Sequence, residues 1–202
     1  MEAVKEYTLP AVDRRELLRY MGVRGDGFGT ALIERVEDEL LPLLTSRVCQ
    51  AELSVRVDGE RVNIGGRECV SRSLSSLLAD ACSVVIFVAT VGAAPDRLIG
   101  KYKSISPSLA LIADALGSER VEALCELFCD ELRCNFDRMG YTVTSRFSAG
   151  YGDLSLDFQR DIFALLSPDR KIGVTLGESL LMSPTKSVSA IVGILPGSKE
   201  KK

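Results

Sequence analysis

The chain has 202 residues, 46% of them apolar and 26% charged, with a net charge of −3 and neither histidine nor tryptophan. That length suits one domain, whose core can hide roughly 70% of the unfolded surface without staples. The balance excludes a general nucleic-acid or membrane-surface binder, which needs a clustered positive field, and the missing imidazole excludes Ser-His-Asp and Cys-His nucleophiles and histidine-ligated zinc or iron.

Acid–base work therefore falls to carboxylates, Lys, Tyr or Cys. No apolar stretch follows Met1-Glu2-Ala3-Val4-Lys5-Glu6 as in a signal peptide. The longest apolar run, Val84 to Ala89, is far short of the roughly 20 residues a membrane helix needs. The expected setting is the cytoplasm, with the six cysteines reduced.

In chain order, Asp13 reads as the N-cap of a first helix, with Glu16 completing a capping box and Gly22 ending it. Gly25-Asp26-Gly27-Phe28-Gly29 resembles a phosphate loop in composition, but it follows a helix and lacks a Lys-Ser/Thr pair, so it reads as a helix–helix loop. A second helix spans about 31–44, with Leu32, Val36, Leu40 and Leu43 or Leu44 on one face. Residues 48–69 alternate with period 2 around Asp58-Gly59 and predict an antiparallel hairpin. A short helix covers 71–81, and the β-branched run 84–91 predicts a strand covered on both faces.

The longest helix starts at Ser106 (N-cap) and Pro107 (N1) and runs to about Met139, with a break expected near Gly117-Ser118. Residues 141–147 alternate as a strand, Ser155 caps a helix over 156–166, and 172–176 and 187–195 are strand-like. The pattern predicts an α+β fold with a twisted, largely antiparallel sheet flanked by helices. A single domain is expected over 1–197, with 198–202 a disordered tail.

Three features of this half invite chemistry. Cys125-x3-Cys129-x4-Cys134 has near-metal spacing, but Cys134 lies about 140° round the helix from Cys129 and no histidine completes a set, so these read as core residues beside Leu124, Phe128 and Leu132. Glu119, Glu122, Glu126, Asp130 and Asp137 form a stripe that is either a solvated face or a source of one or two carboxylates for a cationic ligand group. Ser145-Arg146-Phe147-Ser148-Ala149-Gly150-Tyr151 joins a strand to a helix and gathers a guanidinium for a carboxylate, a glycine for close approach and a Tyr for stacking. An ordinary turn with a surface Arg fits these residues equally well.

Arg146-x-x-x-Gly150-Tyr151 resembles the Arg-x-x-x-Gly-Tyr motif of the activation domain of cobalamin-dependent methionine synthase. Leu176-Gly177-Glu178-Ser179, then Met182, Pro184 and Ser187-Val188-Ser189, is similar to the stretch that follows it in that family, and 113–133 is similar to the helix before it. The likeness covers about 107–195 and is vague over 1–105. It implies a free-standing relative of that domain, with its twisted antiparallel sheet and flanking helices. Such a protein binds S-adenosylmethionine and docks on a methionine synthase lacking its own activation domain, or on another corrinoid protein. In that family an electron from a flavodoxin-like or other donor reduces inactive cob(II)alamin, and S-adenosylmethionine then methylates the transient cob(I)alamin and restores the cycle. The alternative is a docking module that gates its partner's conformation without using S-adenosylmethionine; a small-molecule methyltransferase is disfavoured because no strand–GxGxG–helix signature exists.

Carried over by motif, the resemblance implies that Arg146 binds the ligand carboxylate. Phe147, Ser148, Ala149 and Gly150 offer backbone contacts, Tyr151 faces corrin or ligand, and Glu122, or next Glu126, holds the ammonium. No catalytic residue and no protein-held metal is implied: without histidine the chain cannot give cobalt an imidazole, so cobalamin is contacted only through the partner. Three departures imply weaker binding, or a site completed by the partner. The acid a few residues before the Arg has no counterpart in Tyr141–Ser145, the tandem Tyr is replaced by Ala190-Ile191-Val192, and the N-terminal Asp is absent near Met21-Gly22.

Overall fold

The computed structural model describes residues 2–23 and 29–197. A seven-stranded sheet organises the chain, and every ladder in it is antiparallel. Its centre is β5 (Ser83–Thr90), which pairs with β2 (Arg47–Asp58) on one side and β9 (Ser187–Pro196) on the other. The far edge of β2 is shared: β1 (Glu2–Glu6) pairs with its first half and β3 (Arg61–Ile64) with its second. β4 (Arg67–Val70) extends β3, so the expected hairpin is a three-stranded meander. Its second turn falls at Gly65-Gly66, both in the left-handed region. β6 (Tyr141–Val143) pairs with the end of β9.

The β-branched run behaves as its composition requires. Val84, Ile86 and Val88 point into one core, and Val85, Phe87 and Ala89 into another. The first core is closed by α3 (Arg72–Leu77), α6 (Phe158–Leu166) and α7 (Pro168–Ile172). The second is closed by α5 (Pro107–Asp137). A third, all-helical cluster joins the first turns of α5 to α1 (Arg14–Tyr20), α2 (Thr30–Leu40) and α4 (Ala94–Lys103). A two-stranded hairpin, β7 (Thr175–Leu176) and β8 (Met182–Ser183), stands apart from the sheet.

Several boundaries differ from the sequence expectation for identifiable reasons. Asp13 does cap α1, accepting from the amides of Arg15 and Glu16, but the capping box is not closed. The Asp13 N–H donates to Glu119 Oε1 (3.0 Å), leaving Glu16 to pair with Arg19. The buried face of α2 is Ile33, Val36 and Leu40; Leu32 and Leu43 are exposed, and a 3₁₀ turn over Leu41–Leu43 rotates the chain off the helical stripe. α5 is unbroken at Gly117, where a Cβ would stand 3.0 Å from Lys186 Cγ and 3.0 Å from Pro95 Cβ. The glycine there permits close packing rather than a bend.

Residues expected as one strand over 141–147 pair only through Val143, with Phe147 rejoining β9 by an isolated bridge to Ile191. Ser155 Oγ accepts from the Asp157 amide, but α6 begins only at Phe158. Most of 172–176 is helix end and turn, because Pro168 starts α7 and Gly173 ends it in the left-handed region. The phosphate-like loop lies outside the described residues apart from Gly29, the N-cap of α2, and so does the tail 198–202. Among the described residues no helix is long and apolar enough to cross a membrane.

Candidate functional site

α5 sets one wall. At spacings of three and four residues its Glu119, Glu122 and Glu126 share a face. The segment after β6 supplies the opposite wall and is stitched to β9 from both ends. The Thr144 N–H donates to the Gly193 carbonyl (2.9 Å), and the Phe147 N–H and carbonyl exchange bonds with Ile191 at 2.8 Å each. Side chains alternate along such a segment. Phe147 therefore packs into the core under α6, while Arg146 turns the other way and forms an ion pair with Glu122.

The turn that follows is fixed by glycines and an aspartate. Gly150 has φ +88°, and a Cβ there would meet Leu156 Cδ1 at 3.3 Å. The Gly150 N–H donates to the Leu154 carbonyl and the Tyr151 N–H to the Ser148 carbonyl. Asp153 closes the turn onto α3, accepting from Ser71 Oγ (2.6 Å) and from the amides of Arg72 (2.7 Å) and Ser73 (3.2 Å). These donors hold its carboxyl well below the ordinary range, the Ser71 hydroxyl foremost. Tyr151 is left 62% exposed, its ring edge-on to Phe147 at 6.4 Å.

Burial, the largest single influence, works against the charge of Arg146, but the hydrogen bond it donates to Glu122 and the attraction of the surrounding acidic groups together outweigh it, and the guanidinium is held more firmly protonated than usual. Beneath it, burial pushes the Cys125 thiol up to about 12, and it raises Cys129 as well. Cys125 is a core residue, Cys129 packs against that core and Cys134 is exposed. Among the described residues no group of three or more Cys, Asp or Glu is placed to hold a metal ion.

Arg146 stands where three clefts meet. The largest, about 560 Å³, runs between α1 and α5 and carries Asp13, Glu16, Arg19 and Tyr20 opposite Glu122 and Glu126. Its floor is a buried pair, Glu119–Arg120, whose guanidinium also donates to the carbonyls of Pro10 (2.6 Å) and Ala11 (3.2 Å). The second cleft, about 270 Å³, lies on the β9 side and is lined by Glu122, Arg146, Ser148, Tyr151, Gln159 and Ser189 among others. The third, about 360 Å³, is shared with Glu126, Asp130 and Arg133.

Of the residues singled out in sequence, Arg146, Glu122, Ser148 and Tyr151 thus come together in one cleft. Glu126 is exposed one turn further along α5. Ala149 is buried behind the turn, and the backbone of Phe147 is committed to Ile191. Within 147–150, the amides of Ser148 and Ala149 donate to nothing among the described residues. Sequence reasoning missed the α1 wall, although Asp13, Glu16 and Tyr20 recur at helical spacing. It also missed Gln159, and it read Ser189 only as part of the Ser187-Val188-Ser189 stretch, with no role of its own.

A helix-backed antiparallel sheet that presents an Arg-x-x-x-Gly-Tyr turn beside a helix carboxylate defines an activation-domain architecture. The family model described as "Vitamin B12 dependent methionine synthase, activation domain" matches residues 80–200, and the chain belongs to that family. A solved structure described as "Crystal Structure of the MetH Reactivation Domain bound to AdoHcy" aligns over 98% of this chain and 80% of that one, with a TM-score of 0.74 and 17% identity. No curated protein matches the chain. The mixed helix and antiparallel sheet is therefore the fold of the reactivation domain, and it extends through the N-terminal half where the sequence likeness is vague.

Proposed function

We propose that the chain binds S-adenosylmethionine beside Arg146 and docks on a corrinoid methyltransferase, a methionine synthase before others, to allow reductive remethylation. The observation that carries this reading is the Arg146–Glu122 pair at the meeting point of the clefts, inside the Arg-x-x-x-Gly-Tyr turn. Each partner is about a third exposed, so the pair is reachable from solvent. It also matches a zwitterion. Arg146 takes the ligand carboxylate in two-pronged fashion and Glu122 takes the ammonium, so one ion pair is exchanged for two and no charge is left alone. Glu126 and Asp130 add negative potential that suits a sulfonium.

When bound, the ligand would supply an already activated methyl for a partner-held corrin that a flavodoxin-like or other donor has reduced by one electron, leaving S-adenosylhomocysteine behind. The residues here have only to position it. Arg146 and Glu122 fix the amino-acid end, the amides of Ser148 and Ala149 offer donors, and exposed Tyr151 faces outward toward the partner. The proposed setting is the cytoplasm.

Calorimetric titration with S-adenosylmethionine tests the reading. Heat is expected from the wild type, and Arg146→Ala should weaken binding by about 1.5–3 kcal/mol, the worth of a charge-assisted contact. No heat, even with a corrinoid protein present, removes the ligand and leaves only docking. Binding unchanged in Arg146→Ala removes the site assignment.

A further inference from the structure

Among the described residues, the buried side chains of Gln159 and Ser189 have no partner. Gln159 is 6% exposed and Ser189 2% exposed, and neither Gln159 Oε1 nor Ser189 Oγ has a hydrogen bond among the described residues. They come from distant elements, α6 and β9, yet line the same cleft as Arg146 and Tyr151. Buried polar atoms are almost always satisfied, so two orphans on one cleft wall ask for a partner from outside the chain.

The backbone there is unfilled too. Ile191 and Gly193 direct their peptide groups to the Phe147 and Thr144 side of β9. By the two-residue alternation of a strand, Ser189 presents its N–H and C=O to that same side, and neither is bonded there among the described residues. The cleft is thus an open strand edge backed by a carboxamide and a hydroxyl, with an aromatic ring at its rim.

We propose that Gln159 and Ser189 are specificity-determining residues that read the amino-purine edge of an adenosyl ligand whose amino-acid end is held at Arg146. This rests on the ligand reading above. A carboxamide offers a coplanar acceptor and donor, which match the exocyclic amine and adjacent ring nitrogen of adenine in a two-bond contact. The hydroxyl and the free strand edge supply the remaining bonds, and Tyr151 offers its ring to the base. At the N6/N7 edge a 6-oxo purine offers two acceptors, so the Gln159 carboxamide, whichever way it is turned, leaves its own oxygen unmatched.

The test uses the full chain with S-adenosylhomocysteine and its deaminated 6-oxo counterpart as probes, alongside S-adenosylmethionine. Wild type should prefer the 6-amino ligand by tenfold or more. Gln159→Met, nearly the same volume, should bind the 6-amino ligands at least tenfold more weakly and lose the preference. Ser189→Ala should weaken binding severalfold. Neither variant should melt earlier than wild type, since each removes an unsatisfied group. If the 6-amino ligands bind through Arg146 but Gln159→Met binds them as tightly and discriminates as well, the inference is overturned and the Arg146 assignment stands. If neither probe nor S-adenosylmethionine binds the wild type, both fall together.

Discussion

In the cleft between α1 and α5 the charges answer one another: Glu119 is paired with Arg120, Glu16 with Arg19, and Glu122 with Arg146. In the smaller cleft against β9 the polar atoms of Gln159 and Ser189 answer nothing within the described chain. A ligand entering the first must break an existing pair, so its gain is a difference between two sets of ion contacts. A ligand entering the second meets polar atoms that have no partner among the described residues, and orphaned buried groups are costly in proportion to their burial. Arg146 belongs to both, which is why the sharpest experiments separate them.

The largest effect should come from the floor of the paired cleft. Glu119→Gln leaves the Arg120 guanidinium buried without its counter-charge and weakens the tie to Pro10, Ala11 and the N-cap amide of α1. Urea unfolding should report a loss of about 3–5 kcal/mol, as for other broken buried pairs. A loss below 1 kcal/mol would mean that the pair is not a structural clamp.

Arg146→Ala should cost far less stability. Its ion pair is about a third exposed on both sides, so screening limits the loss to about 1 kcal/mol or less. The contrast with its effect on ligand binding distinguishes a site residue from a scaffold residue; equal losses in both would erase that distinction.

The turn bearing Tyr151 gives a pH-dependent test. The folded carboxyl of Asp153 is held below its ordinary range, so its stabilisation is present above the unfolded carboxylate value and lost as pH falls through the folded one. At neutral pH the wild type should melt above Asp153→Asn, and on acidification the gap should close. A gap independent of pH would show that the charge of Asp153 is not what holds the turn to α3.

The smallest perturbation is chemical labelling of thiols. Cys82 and Cys134 are exposed and should be alkylated first in the native protein. Cys125, its thiol pushed up to about 12 by burial, should react only on unfolding, and Cys69, at about 11, should lag the exposed pair. Early loss of Cys125 by mass spectrometry would mean that the wall behind Arg146 opens.

Local signals carried much of the fold. Ser106-Pro107 announces α5 because its cap is made by its own side chain and φ, and β5 is legible because burial on both faces removes every polar residue from its middle. β1 is not legible: Glu2-Ala3-Val4-Lys5-Glu6 becomes a strand through the edge of β2 and through Lys5 and Tyr7 meeting Glu131, far along the chain. α4 has no side-chain cap, and its buried Leu98 and Tyr102 are interrupted by Gly100, so its helical stripe is short. The turn at Arg146 was readable as a motif. Gln159 and Ser189 were not, because what marks them is the absence of a partner, and that is a property of three-dimensional neighbours.

The open stretch of β9 has one more consequence. A strand edge with free N–H and C=O groups accepts any extended chain, including another copy of the same protein. Here that edge is short, and it begins just after Pro184 and Lys186, whose ammonium is held by Asp114 and Ser118. Proline and charge are the usual guards of such an edge, and Tyr151 stands over the cleft beside it. An occupant would complete the protection. Ligand-free protein should therefore associate more readily on concentration than ligand-loaded protein, a difference static light scattering would detect, because the groove proposed for the adenosyl ligand is also an open strand edge.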